Sequence, residues 1–234
     1  CIITGSGPDE LFYGMEKYSW DTFEKLSDMP TAKALEKLDP SYNLQVYSKL
    51  LNSEGHELYE KVKQKRQVLY GSIADLQMNI FDSQRLLAYS TVTAQHMQLF
   101  NEISELFNLK HKTPYLNNQL VSLALSAPLE DLVDLGSDKR VEIGKKYLKK
   151  YLLQHMSKDH VYGKKIGFHA PTTKFVFEYS KSFLKENIEY LPSWLDKDKT
   201  LEEIKIRFNA SNQLTDYFLY SLLNIIKFKI DKLQ

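Results

Sequence analysis

The sequence predicts a mainly α-helical protein that begins with one short β-strand, and three observations support this fold class. Apolar residues recur every three or four positions through most of the 234 residues, which is the spacing of a helix face. Polar helix-start residues and prolines divide that pattern into separate segments. The opening "CIIT" is β-branched and lacks helical spacing, so we expect a strand there and helices after it.

The predicted helices follow in order along the chain. Asp21, Thr31 and Ser53 each have the character of a helix start, because a short polar side chain can accept from otherwise unpaired amide groups. After Ser53 the apolar positions form one face of a helix, or of two helices in tandem. These positions are Leu58, Val62, Leu69, Ile73, Leu76 and Ile80, continued by Ala94, Met97, Phe100, Ile103 and Leu106.

The second half of the chain continues the helical pattern. Pro114 and Pro128 bracket a short apolar helix that we expect to lie in the core. Two further helices are predicted in "DKDKTLEEIKIRF" and "NQLTDYFLYSLLNIIKFKIDKL". Between Pro128 and these two helices, "GSDKRVEIGKKYLKKYLLQHM" predicts another helix, with lysines outward and an inward face formed by Tyr147, Leu148, Tyr151 and Leu152. We divide the chain into residues 1–190 and a helical extension, residues 191–234, that packs on them.

Composition excludes several classes of protein. Thirty-one basic and thirty acidic residues give a formal charge of +1, so no global field would attract nucleic acid or an anionic membrane. The single cysteine, Cys1, excludes an intrachain disulfide framework. No apolar run approaches the roughly 20 residues of a membrane span, and the start lacks a signal-peptide pattern. We expect a cytoplasmic protein and leave a homo-oligomer open.

The stretch "TGSGPDELFYG" is the first candidate site. A short strand that runs into a glycine turn and then a helix presents backbone N–H groups to a phosphate. Asp9 and Glu10 would repel a polyphosphate unless a divalent cation lay between them, so the combination favours a Mg²⁺-bound phosphate. The alternative is an ordinary turn whose carboxylates favour the positive end of the following helix.

Two other stretches are candidates. In "YGKKIGFHAP", Lys164 and Lys165 precede a glycine turn that could hold a lysine over an anion, although a solvated lysine pair has the same pattern. In "KHKTPYLNNQLVSLALSAP", a proline, an aromatic residue and an apolar helix indicate core packing. The six histidines lack the spacing of a zinc site, and no Gly-x-Ser-x-Gly segment indicates a hydrolase.

These three stretches, in this order, resemble the C-terminal synthetase domain of the asparagine synthetase family, which includes β-lactam synthetase. "IITGSGPDELFYGM" is similar to the family's glycine loop, and "TPYLNNQLVSLALSAP" to its Pro-Phe-Leu-Asp segment. "GKKYLKKYLLQHM" and "YGKKIGFHAP" resemble its Gly-Lys-x-x-Leu-Arg helix and catalytic loop. The resemblance implies that the fold is the helical C-terminal portion of an α/β PP-loop synthetase domain, of the adenine-nucleotide-hydrolase type.

The resemblance also implies an activity. In this family a carboxylate attacks the α-phosphate of Mg²⁺-ATP, pyrophosphate leaves, and an amine then displaces AMP. Lys165 matches the catalytic-loop lysine, Asp9 would hold Mg²⁺, and Glu10 would keep the loop in shape. The residues that would bind ATP and substrate are Gly5, Ser6, Gly7, Asp9 and Glu10.

The sequence departs from the family between the two glycines of the loop. Asparagine synthetases carry a glutamate there, and this chain has Ser6, which cannot act as a carboxylate base at neutral pH. β-Lactam synthetase has a tyrosine at this position, so the residue type varies with the substrate. The resemblance therefore does not name asparagine as the product.

A second departure precedes the "TPYL" segment. Asn101 and Glu102 stand where the family has Asp-Arg, and Lys110 and Lys112 stand in place of Glu-x-Arg. An arginine that would reach the ATP phosphates is therefore missing, and Arg85 or Lys112 are the candidates to replace it. These changes leave open an alternative, a non-catalytic binding or regulatory subunit on a degenerate synthetase scaffold.

The family's Ser-Gly-Gly-x-Asp-Ser segment, which grips pyrophosphate, has no match in the 234 residues. We therefore expect an upstream segment or a partner chain to carry it, and we expect this chain alone to be inactive. Whether a glutaminase domain precedes it stays open. The basic clusters "KVKQKR" and "KKYLKK" keep a nucleic-acid-modifying enzyme as a third hypothesis, against which the near-zero net charge argues.

Overall fold

The computed structural model describes residues 1–14, 25–39, 48–134, 144–163, 172–209 and 217–233. These residues are mostly helical, with one two-stranded sheet among them, which confirms the mainly α prediction. The chain divides into two compact units. The first unit contains Cys1–Asn43 and Lys65–Lys165, and the second contains Leu44–Gln64 and Ile166–Gln234. The predicted division after residue 190 stays a prediction.

The first unit begins with strand β1, Ile2–Ile3, and ends, among the described residues, with a short helix near Val161. Its helices in chain order are α1 (Pro8–Leu11), α2 (Thr31–Leu38), the last part of α3 (Ser53–Ala74), α4 (Ile80–Ala88), α5 (Ala94–Leu106), α6 (Asn118–Ser126), α7 (Leu129–Leu132), α8 (Lys146–Leu152) and α9 (Lys158–Val161). A π-helical turn, Tyr89–Thr93, joins α4 to α5, and strand β2 (His111–Lys112) and a 3₁₀ turn (Pro114–Leu116) lie between α5 and α6.

The second unit contains the first part of α3 and the C-terminal helices. These are α10 (Thr172–Glu186), α11 (Lys197–Asn209) and α12 (Tyr217–Leu233), with a 3₁₀ turn at Ile188–Tyr190. The last two confirm the helices predicted from "DKDKTLEEIKIRF" and "NQLTDYFLYSLLNIIKFKIDKL". None of the helices in the described part of the chain is long and apolar enough to cross a membrane.

Helix starts lie close to where the sequence predicts them, but the capping groups differ. Helix α2 begins at Thr31, yet Pro30 is its N-cap and no side chain caps it. Helix α3 begins at Ser53, and the side chain that accepts from Gly55 N–H (3.1 Å) belongs to Asn52. The sequence thus predicts the cap one residue too late, because the side chains of Asn52 and Ser53 can both accept a hydrogen bond from a backbone N–H of the first turn. The helix predicted at Asp21 lies outside the described residues.

Strand β1 has a partner that the sequence analysis missed. Ile2 pairs with His111 and Ile3 with Lys112 in a parallel arrangement. The prediction of a single strand is therefore wrong. Strand β2 is two residues long, and neither histidine nor lysine favours a strand, so it leaves no alternating pattern to detect.

Among the described residues of the first unit, three apolar clusters form the interior, and one of them lies beneath the glycine turn. That cluster centres on Leu11, Phe12 and Leu132, with Ala124 of α6 and Leu148 of α8 against it. The predicted orientation of α6 and α8 is only partly right. The exposed fractions of Leu123, Tyr147, Tyr151 and Leu152 are 63%, 57%, 61% and 39%. Periodicity fixes which residues share a face, but it does not fix how much of a short helix is covered.

The second unit has one larger apolar core. Its centre is formed mostly by leucine and isoleucine side chains of α10, α11 and α12, of the segment between α10 and α11, and of the segment before α3. The buried members are Leu50, Leu184, Leu191, Leu195, Ile204, Phe218, Leu219, Leu222 and Ile226. Burial of these side chains stabilises the unit through the hydrophobic effect.

Candidate functional site

A glycine turn, residues 5–7, connects strand β1 to helix α1. Gly7 is the N-cap of α1 and has a φ of 109°, a region that residues with a side chain rarely adopt. A Cβ on Gly7 would also lie 2.6 Å from Leu116 Cδ2, whereas a Cβ on Gly5 would meet no atom within 4 Å. The turn is therefore packed at Gly7 and open at Gly5.

One segment, residues 111–116, supports both ends of this turn. Thr4 N–H donates to Lys112 O (3.0 Å), and Thr4 Oγ1 lies 2.8 Å from His111 Nε2. At the other end Gly7 packs on Leu116 of the 3₁₀ turn. The segment that the sequence assigned to core packing thus also anchors the candidate phosphate loop.

Asp9 forms an ion pair with Lys145, which is the central electrostatic feature of the site. Lys145 precedes α8 with a φ of 60°, and its N–H donates to Phe12 O (2.7 Å). The side chains of Asp9 and Lys145 keep 46% and 31% of their surface exposed. An ion pair with this much solvent contact contributes about 0–1 kcal/mol to stability, so both groups can exchange partners when a ligand binds.

Two glycines allow Asp9 and Lys145 to meet. A Cβ on Gly14 would collide with the side chains of both residues, and a Cβ on Gly144 would collide with the carbonyl oxygen of Tyr13. Gly14 N–H also donates to Asp9 O (2.8 Å), which closes the turn after α1. Glycine at these two positions therefore brings the segment after α1 against the start of α8.

Arg85 is fully buried and holds the end of α1 in place. Its Nη1 donates to Leu11 O (3.2 Å) and Ala124 O (2.9 Å), and its Nη2 to Leu125 O (3.1 Å) and to Asp82 (2.9 Å). These contacts make Arg85 a structural residue, so it is not accessible to an ATP phosphate. Of the two candidates for the missing arginine, only the exposed Lys112 is left.

Tyr13 lies between Arg85 and the candidate site. The guanidinium of Arg85 is 5.4 Å from the centre of the Tyr13 ring, a cation–π contact that fixes the ring. Burial raises the pKa of the Tyr13 hydroxyl far above its ordinary value, and the lowering effect of Arg85 is smaller. Tyr13 is therefore neutral at physiological pH.

The carboxylates of α1 have different environments. Glu10 is 7% exposed, and its carboxylate has no hydrogen bond or ion pair with any residue that the structure describes. The side chain of Asp9, in contrast, is half-exposed. Within the described ranges, no group of three His, Cys, Asp or Glu side chains could hold a metal ion. The site fits Mg²⁺ only as part of a nucleotide complex, in which phosphates and waters supply most ligands.

The structure brings most of the predicted site residues together. Gly5, Ser6 and Gly7 form the turn, and Asp9 and Glu10 follow in α1. Lys165 lies outside the described residues, so its predicted role stays a prediction, as do the roles of the other residues.

Sequence reasoning missed Lys145, Gly144 and His111. Lys145 and Gly144 open the "GKKYLKK" motif, but the lysines of that motif were assigned to an outward helix face. The signal that could have identified Lys145 is its place immediately after a glycine and before the helix begins. His111 could not be identified in this way, because strand β2 is only two residues long and has no recognisable sequence pattern.

The residues that replace the family's Asp-Arg pair have partners within this chain. Asn101 Oδ1 lies 3.0 Å from His111 Nδ1, and Glu102 Oε1 accepts from Gln98 Nε2 (2.9 Å). Both replacements therefore have local hydrogen-bonding roles on α5.

Comparison with known proteins identifies the family of this chain. The family described as asparagine synthase matches residues 1–213, which is most of the chain. No curated protein and no solved structure matches it. The family match extends over the glycine turn, Asp9 and Lys145, so this chain belongs to the asparagine synthase family.

Proposed function

We propose that this chain is part of an ATP-dependent, amide-forming synthetase that adenylates a carboxylate and transfers an amine to it. The observation that carries the proposal is the Asp9–Lys145 pair beside an open glycine turn. A negative and a positive side chain at the same turn match the charges of a magnesium–triphosphate complex. The family membership supports the same class of reaction.

The proposed reaction has two balanced steps. A carboxylate oxygen of the substrate attacks the α-phosphorus of ATP, the bond to the β-phosphate oxygen breaks, and pyrophosphate leaves. The amine nitrogen then attacks the acyl carbon, loses a proton, and the acyl–oxygen bond breaks to release AMP. Both steps develop negative charge on phosphate oxygens, which a fixed positive charge stabilises.

The described side chains have distinct parts in this proposal. Asp9 would exchange Lys145 for Mg²⁺, which neutralises phosphate charge when it is bound, and Lys145 would then bind a phosphate oxygen. Backbone N–H groups of residues 5–7 would line the nucleotide and substrate cleft. We assign Lys165 the neutralisation of charge in both steps. An upstream segment or a partner chain would supply the remaining pyrophosphate contacts, and we expect the reaction to take place in the cytoplasm.

A second function has some structural support. Ser6, Asn101 and Glu102 replace groups that the chemistry would use, and the last two are engaged in hydrogen bonds on or next to α5. A scaffold that kept the family fold but lost catalysis would tolerate such changes. This non-catalytic binding or regulatory subunit is the alternative that the experiment must exclude.

The test uses the complete polypeptide, or this chain together with the partner that carries the pyrophosphate segment. The protein is incubated with ATP, Mg²⁺, ammonium and a panel of amino-acid carboxylates, and AMP and pyrophosphate are quantified. We expect equal amounts of both products, with a loss of about 100-fold or more in Asp9→Asn and Lys165→Ala. The exposed Asp131→Asn is the matched control and should leave turnover unchanged.

Two results would reject the proposal. One is the absence of Mg²⁺-ATP binding by the complete protein in calorimetry. The other is full biological activity of the complete protein carrying Lys165→Ala, which would favour the non-catalytic subunit.

A further inference from the structure

We infer that His111 is a positioning residue for the glycine turn, and that it acts through the hydroxyl of Thr4. This inference rests on the proposed function for the identity of the ligand, but the contacts that support it are independent of that ligand. They form a continuous path from helix α5 through the imidazole ring to the first residue before the turn.

The path consists of two hydrogen bonds. His111 Nδ1 lies 3.0 Å from Asn101 Oδ1 on α5, and His111 Nε2 lies 2.8 Å from Thr4 Oγ1. The Phe100 ring, whose centre is 5.5 Å from that of His111, packs against the imidazole. Both polar atoms and one ring contact of His111 are therefore used to fix its orientation.

The acceptor on α5 determines the tautomer of neutral His111. Asn101 Oδ1 can only accept, so Nδ1 carries the proton and donates to it. Nε2 is then the unprotonated nitrogen and accepts from the Thr4 hydroxyl. The hydroxyl of Thr4 is thus directed toward the imidazole ring of His111.

His111 does not itself have the geometry of a ligand-binding group. Its two ring nitrogens face Asn101 and Thr4, and its ring contacts α5, so no polar atom of the side chain is left for a nucleotide. Its effect must pass through Thr4, which strand β2 also holds by the hydrogen bond from Thr4 N–H to Lys112 O (3.0 Å). Thr4 is therefore fixed by its backbone and by its side chain.

The fixed position of Thr4 matters because the next residue, Gly5, faces open space on the side where a side chain would lie. Nothing lies within 4 Å of a Cβ placed on Gly5, while Gly7 is held against Leu116. The direction of the Gly5 and Ser6 N–H groups therefore depends on Thr4 before them and on Gly7 after them. Loss of the first anchor should leave these amides free to reorient, which weakens a preorganised anion site.

The experiment replaces His111 in the complete protein with two amide residues, each of which can retain one of its two hydrogen bonds. His111→Asn can keep the contact to Asn101 but cannot reach Thr4, whereas His111→Gln places an amide near the position of Nε2. Thr4→Val removes the hydroxyl and keeps the shape of the side chain. His96→Asn, at an exposed histidine on α5, the helix that carries Asn101, is the matched control.

The first readout needs no ligand. Hydrogen exchange of the amides of residues 5–7 should become about 10-fold faster in His111→Asn and Thr4→Val, because the turn opens more often. Exchange in His111→Gln and His96→Asn should stay close to that of the unaltered protein. Equal exchange in all variants would overturn the inference, whatever the protein binds.

The second readout is the dissociation constant for Mg²⁺-ATP. His111→Asn and Thr4→Val should each weaken binding about 10-fold, and the double variant should be no weaker, because both changes remove the same contact. Additive losses would overturn the inference, since a residue with only a general structural role would act independently of Thr4. If the unaltered protein bound no Mg²⁺-ATP, the proposed function would fail, and the exchange readout would still decide the role of His111.

Discussion

The two compact units use buried polar groups and unusual backbone conformations to different extents. Within the described residues, the residues other than glycine with positive φ (Tyr13, Gln77, Asn108 and Lys145) all lie in the first unit, together with the buried Arg85. The second unit has one leucine-rich core and few buried polar side chains in its described part. Tyr13 and Lys145 flank the candidate site, so two of these four backbone conformations occur where polar groups must be positioned.

We therefore expect stability and function to depend on different residues of this chain. Residues of the second unit should affect mainly the free energy of unfolding. Residues around the glycine turn should affect mainly ligand binding. Arg85 is the intermediate case, because it is buried and also holds the helix that carries Asp9.

The largest effect on stability is expected at Arg85. Arg85→Met keeps much of the side-chain volume but leaves the carbonyl groups of Leu11, Ala124 and Leu125 without their donor. The free energy of unfolding should fall by about 3 kcal/mol or more, as measured by urea denaturation. The exposed Lys150→Met should change it by no more than about 0.5 kcal/mol. Equal stabilities would show that Arg85 does not hold α1.

A similar but slightly smaller effect is expected in the core of the second unit. Leu219 is fully buried, so Leu219→Ala should lower the free energy of unfolding by about 3 kcal/mol through lost burial and the cavity left behind. Tyr220→Ala, at a neighbouring side chain that is 49% exposed, is the control in the same denaturation experiment. A small effect of Leu219→Ala would contradict the assignment of this core.

The smallest effect is expected at the ion-pair cluster of the second unit. Hydrogen bonds from Lys49 and, to a lesser extent, from Arg207 (both 2.8 Å) lower the pKa of Glu203. The ionised carboxylate therefore stabilises the fold above the ordinary titration range of glutamate, and this contribution is lost as the pH falls through the lowered pKa. Glu203→Gln should cost about 1 kcal/mol at pH 7.

The pH dependence provides the check on Glu203. The difference in stability between Glu203→Gln and the unaltered protein should shrink as the pH falls below the ordinary titration range of glutamate and through the lowered pKa of Glu203. Exposed Glu202→Gln should show no comparable difference at either pH. A difference that stayed constant with pH would mean that the charge of Glu203 does not contribute.

The sequence allowed much of the fold to be predicted. The helical class, the last two helices and the turn before Pro8 all follow from periodicity, glycine and proline. The outward position of Tyr147 and Tyr151 could not be predicted, because periodicity does not show which face of a short helix the rest of the protein covers.

The candidate site was predictable only in part. The glycine turn and Asp9 lie together in the sequence, so their proximity needs no tertiary information. Lys145 and His111 are more than 100 residues away from their partners Asp9 and Thr4. Such contacts depend on how distant elements pack, and local patterns do not encode that.

The affinity of the complete protein for Mg²⁺-ATP directly tests whether the Asp9–Lys145 pair belongs to the nucleotide site. It is measured by calorimetry in the unaltered protein, in Lys145→Ala and in Lys150→Ala. Lys150 lies on α8, the helix that follows Lys145, and is exposed, so it controls for loss of a positive charge. We predict that Lys145→Ala weakens binding about 10-fold or more, as expected for a lost charge-assisted hydrogen bond to phosphate. Lys150→Ala should bind normally. Binding of equal strength in Lys145→Ala and the unaltered protein would show that the Asp9–Lys145 pair is not part of the nucleotide site.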